Sequence, residues 1–62
     1  MAQTDAMMAF RARRAAAIAL ALKAKRIFRT GTPQERRQMI ERELRAAGVD
    51  TLLAVSASQA VI

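Results

Sequence analysis

The sequence has no cysteine, histidine, tryptophan or tyrosine. Each absence removes a class of chemistry. Without cysteine there is no disulfide to staple a small fold, and without cysteine and histidine there is no zinc cluster to organise one. The usual general base and the thiol nucleophile are missing as well. Acids are scarce: Asp5, Glu35, Glu41, Glu43 and Asp50. Glu41 and Glu43 stand two apart and diverge by about 160° on a helix, so they are not placed to share a proton or a metal. The only two glycines, Gly31 and Gly48, lie too far apart to form a phosphate-cradling loop. We therefore expect a non-enzymatic chain with no metal and no cofactor.

Helix breakers are equally rare. Pro33 is the only proline. What remains is rich in alanine, which supplies 15 of the 33 hydrophobic residues. Only the other 18 are large enough to fill a core. A chain of 62 residues buries only about 60% of its unfolded surface. This combination argues for a helical oligomer, or for a chain that folds on a larger partner.

The net charge is +6, with eleven Lys and Arg against five Asp and Glu. The excess lies wholly in the first half. Residues 1–30 carry seven bases and one acid, whereas residues 31–62 carry four of each.

The run Ala15–Leu22 follows Arg11, Arg13 and Arg14 and superficially suits a signal peptide. However, Lys23, Lys25 and Arg26 occupy the place where a small neutral cleavage region is required. The run is also far short of the ~20 residues of a transmembrane span. An Arg- and Ala-rich start has something of a transit peptide, for which Asp5 is atypical. We read the segment as a structural helix. The protein is expected in the cytoplasm or inside a virion or nucleoprotein particle, and not secreted.

The pattern predicts an all-α chain in one small domain. A long first helix spans 5–29, with Asp5 or Thr4 as N-cap. The turn 30–32 follows, with Gly31 as a left-handed C-cap. The second helix spans 33–47. Its start, Thr32-Pro33-Gln34-Glu35, combines a capping box with proline at the first helical position. Gly48 is its expected C-cap. Arg37 with Glu41, and Glu41 with Arg45, have the spacing of weak surface ion pairs. Two helices joined by a short turn favour a helical hairpin or corner. The tail 49–62 is expected to be short helix, over about 51–57, or an extended docking segment.

On a helical wheel Phe10, Ala17, Ala21 and Phe28 fall on one line, flanked by Ala6, Leu20, Ala24 and Ile27, and only Arg13 intrudes. This apolar arc of about 140° is wide enough to face a core. The opposite arc carries Arg11, Arg14, Lys25, Arg26 and Arg29, interrupted by Ile18 and Leu22. Segment 15–22 is thus apolar all round, which a single partner helix cannot cover. The second helix has a narrower stripe, Ile40, Leu44 and Ala47, and its charges read as a solvated face.

Three functional expectations follow. The first is a structural component that neutralises nucleic-acid phosphates within a larger assembly of virion, nucleoid or ribosome type. Arg11, Arg14, Lys25, Arg26 and Arg29 would make weakly sequence-specific backbone contacts, because guanidinium suits phosphate and no asparagine is present to read bases. The second is an oligomeric adaptor, regulator or structural subunit that binds protein through Ile18, Leu22, Leu52, Leu53, Val55, Val61 and Ile62. The third is an amphipathic helix on anionic lipid, which the alanine-rich arc supports least.

Overall fold

The computed structural model describes residues 2–62, with side chains from Asp5 onward. It contains three helices: α1 (Ala2–Ile27), α2 (Pro33–Ala46) and α3 (Thr51–Val61). Each helix packs on both of the others. Arg36, at the start of α2, reaches the end of α1, and Ala47, just beyond α2, lies beside Leu20 and Lys23. The second helix therefore returns antiparallel to the C-terminal half of α1. Asp50 and Leu53 lie beside Ala16 and Ala17, whereas Ile62 lies beside Pro33. Hence α3 reverses again and runs parallel to α1. The hairpin expected from sequence is thus the first two members of a three-helix bundle.

Local chemistry explains the corners. The Thr32 hydroxyl accepts from the Glu35 amide at 3.1 Å, and the Glu35 carboxylate accepts from the Thr32 amide at 3.0 Å. This reciprocal box satisfies two amides that the helix itself leaves open. The hydrogen bonds from Thr32, the backbone one foremost, hold the Glu35 carboxyl below the ordinary glutamate range. At the far end of α2 the chain turns through Gly48 at φ +91°. The Gly48 amide donates to the Arg45 carbonyl and the Val49 amide to the Leu44 carbonyl, which is the Schellman pattern with Ala47 as cap. Asp50 then starts α3, its carboxylate accepting from the Leu52 amide at 3.1 Å.

Several boundaries differ from expectation, each for a physical reason. The first helix already includes Ala2, so Asp5 is a first-turn acid near the positive end of the dipole rather than a cap; the Thr4 side chain lies outside the described residues. The helix ends at Ile27, two residues early. Gly31 does adopt a positive φ, +99°, but within the connecting loop. The tail is neither extended nor confined to 51–57: it is helical through Val61. Ala54, Ala57, Ser58 and Val61, spaced three and four apart, form its buried face, and burial outweighs the modest helix propensity of serine and valine.

Five of the eight core residues are alanines: Ala17, Ala21, Ala24, Ala54 and Ala57. Ile40, Leu44 and Val61 are the only large core members. Small side chains let helices approach closely, so the core is thin but dense. The one buried polar residue, Ser58, donates from its hydroxyl to the Val55 carbonyl at 2.9 Å. Among the described residues no buried side-chain nitrogen or oxygen lacks a partner.

The helices are unequal. At 1.5 Å per residue α1 is about 39 Å long and α2 about 21 Å. The bundle uses only the second half of α1. Every residue from 5 to 16 is exposed, and Ala17 is the first buried one. The molecule measures 45 × 18 × 16 Å, and its radius of gyration, 12.4 Å, exceeds the roughly 10.6 Å of a compact chain of this length. Residues 5–16 form a projecting N-terminal arm.

Candidate nucleic-acid interface

The last turns of α1 carry Lys25 and Arg26, and Arg29 follows in the loop. Cations here face the negative end of the helix dipole. The terminus is then sealed from an unexpected direction. Arg36 of α2 donates from Nε to the Phe28 carbonyl at 2.8 Å and from Nη2 to the Lys25 carbonyl at 3.4 Å. The Arg29 amide has turned away to the Ile27 carbonyl, which ends the regular ladder and leaves those oxygens available. One guanidinium thus closes the corner between α1 and α2.

The same arrangement builds a surface. Lys25, Arg26, Arg29 and Arg36 surround one open concavity, with Leu22 on its wall. Arg26 and Arg29 are exposed there, whereas Lys25 and Arg36 are half-buried. The concavity has strongly positive walls and an apolar patch.

Arg11 and Arg14 are placed elsewhere. They line a shallow hollow on the arm, with Ala6, Met7 and Phe10. Arg14 precedes Lys25 by eleven residues, about 17 Å along a straight helix. The structure therefore divides the five expected contact residues into two groups on one rigid rod. Arg36 belongs with the second group, although sequence reasoning left it on a solvated face. A signal was present. A cation in the first turns of a helix is misplaced for that helix's own dipole, which suggests that it serves the C-terminus of another.

The expected protein-contact residues separate in a different way. Val61 belongs to the chain's own core, and Ile18 and Leu53 pack partly against it. Ile18 therefore lies at the edge of the core and not opposite it. Val55 is half-buried. Leu22, Leu52 and Ile62 remain exposed. Phe10, Leu20 and Ile27, placed by the wheel on the core-facing arc, are exposed as well. The bundle closes around Ala17, Ala21 and Ala24, and the larger side chains stay at its rim.

Among the described residues no group of three or more acidic side chains is gathered as metal ligands would be. None of the described helices is long and apolar enough to cross a membrane. Compared with protein-family models, curated proteins and solved structures, the chain finds no match in any of the three.

Proposed function

We propose that this chain is a small non-enzymatic subunit that neutralises nucleic-acid phosphates within a larger assembly, in the cytoplasm or in a nucleoprotein particle. The observation that carries this reading is the convergence of Lys25, Arg26, Arg29 and Arg36, from two helices, on one open concavity. Arginine predominates, and its planar fork suits phosphate oxygens. The Arg11 and Arg14 group, about 17 Å away, extends the contact along the rod, far enough to reach phosphate rows on both sides of a groove about 12 Å wide. Readout of bases finds little support, because the chain has no asparagine and, among the described residues, no glutamine lines either basic hollow. The binding is therefore backbone-directed and weakly sequence-dependent.

The test is duplex binding measured against salt. Six phosphate contacts give a slope of log K on log salt of about −5.4, a loss of roughly 2,000-fold between about 50 and 200 mM. A slope near zero, or no binding at low salt, would sink the reading.

A second reading, a protein-binding structural subunit, is favoured by the exposed arm with Met7, Met8 and Phe10 on its surface. Under this reading the arginines meet acidic protein surfaces, and nucleic acid does not compete for them. The lipid-surface reading is checked by co-sedimentation with anionic vesicles in the same salt series.

A further inference from the structure

The hollow at the corner between α1 and α2 differs from the other basic hollows of the described surface. Its lining is Leu22 and four cations, Lys25, Arg26, Arg29 and Arg36, with no acid among them. Elsewhere the cations are fewer or are offset. Arg13 shares its hollow with Asp50, and Lys23 shares its own with Glu43. Arg11 and Arg14 stand as a pair on the arm. The corner site is also held in shape. Arg36 is half-buried and donates to the Phe28 and Lys25 carbonyls, so its guanidinium is fixed by main chain at the end of α1. Lys25, Arg26 and Arg29 fall within five consecutive residues around that anchor. Like charges gathered on one concavity repel each other, and an anion that meets several of them at once relieves the repulsion.

We propose that this concavity is a binding site for a linear oligophosphate, a free anion of the di- or triphosphate class. It uses the same four cations as the nucleic-acid contact proposed above but does not require that contact. Charge density selects the ligand. A nucleic-acid strand carries one charge per phosphate and advances about 3.4 Å along the axis from each to the next. A convex duplex therefore sets only one or two charges against a hollow. A triphosphate concentrates about four charges on three linked phosphates, two of them on the terminal group. It is small and flexible enough to enter and to meet all four cations. A single phosphate carries about two charges and engages only part of the set. Each guanidinium fork can pair with two phosphate oxygens, while Lys25 supplies a point charge. No aromatic side chain lines the concavity, so nothing there would stack on a base. The phosphate chain is the determinant, whether it arrives as inorganic tripolyphosphate or as part of a nucleoside triphosphate.

The experiment is calorimetric titration of the whole chain, free of nucleic acid, with sodium tripolyphosphate at low and constant ionic strength. We expect saturation at one ligand per chain, with an affinity at least about tenfold above that for orthophosphate. Arg26→Ala and Arg29→Ala should each weaken it at least about fivefold. Both side chains are exposed, and unchanged far-ultraviolet circular dichroism would verify folding. Replacing Arg11 and Arg14 together by alanine should leave the affinity within about twofold. A parallel titration with a nucleoside triphosphate separates the sources. Binding within about tenfold of tripolyphosphate supports the phosphate chain as the whole determinant; tighter binding supports the site with a nucleotide as its source, and weaker binding with an inorganic chain. No saturation up to about 1 mM overturns the proposal, as does equal affinity for orthophosphate or a loss spread evenly over Arg11, Arg14, Arg26 and Arg29. A chain that binds duplex but not tripolyphosphate loses this inference alone. One that binds tripolyphosphate but no duplex loses only the nucleic-acid reading.

Discussion

Ile40 is the most informative position at which to perturb the bundle. Its side chain is fully buried, and it is one of only three large residues in the core. The substitution Ile40→Ala leaves a cavity in a core of eight residues, five of them alanines. Alanine has no rotamer with which to fill a void, so relief requires a shift of whole helices. The cost of an Ile→Ala change ranges over about 2–5 kcal/mol, according to how far the site collapses. The alanine-rich surroundings place it near the upper end, about 4 kcal/mol. A domain of this length is stable by only about 3–9 kcal/mol in total. The variant should therefore lose a large share of its stability and may be followed by urea titration of the helical circular dichroism at 222 nm. With a urea dependence of about 1 kcal/mol per molar, the midpoint should fall by several molar, or the native baseline should vanish. Leu52→Ala is the matched control, since Leu52 is 80% exposed and should change stability by no more than about 0.5 kcal/mol. Protein concentration must be equal in both arms, because any association would add stability by mass action. Equal midpoints for the two variants would refute the packing described above.

Arg36→Met keeps the aliphatic stem and removes the donors that hold the end of α1. We expect a loss of about 1–2 kcal/mol, the partial exposure of the site keeping it below a fully buried charged bond. Each kcal/mol should lower the melting temperature by roughly 4–8 °C in a domain of this size. The same change should reduce the salt slope of duplex binding by about one contact. An unchanged slope with lowered stability would restrict Arg36 to a structural role. Glu35 supplies a pH signature. Its carboxyl is held below the ordinary range in the folded chain, so its ionised form stabilises the fold above the unfolded pKa. That contribution disappears as pH falls through the lowered folded value. Glutamine retains the capping geometry without the charge, so Glu35→Gln should melt slightly below the native chain near about pH 6 and together with it near about pH 2. A gap that persists in acid would assign the effect to geometry instead of charge.

Much of the fold was legible because its signals are local. The capping box at Thr32–Glu35 needs only four consecutive residues, and the structure forms it with Pro33 at the first helical position. Gly31 and Gly48 both adopt the positive φ that their sequence positions suggested. The length of α3 was less legible. Its serines and terminal valine are indifferent helix formers, and only contact with α1 and α2 rewards their helical spacing. The candidate site was legible in composition and not in geometry. Seven cations in the first half are visible by counting. That Lys25, Arg26 and Arg29 share a concavity with Arg36 depends on where α2 turns back.

The wheel for α1 shows the same division. It drew one apolar arc from Phe10 to Phe28, and periodicity alone gives no reason to divide it. The bundle covers only the part beside Ala17, Ala21 and Ala24, because α2 and α3 are too short to reach the arm. The sequence by itself determined two helices and a candidate third, the caps of the second helix at Thr32 and Gly48, and the imbalance of charge, since these depend on residues within a few positions of each other. Tertiary structure decided which apolar residues became core, which basic residues became neighbours, and that half of the longest helix projects free. Those outcomes depend on helix lengths and on the angle at which each turn returns the chain, and no local pattern encodes them.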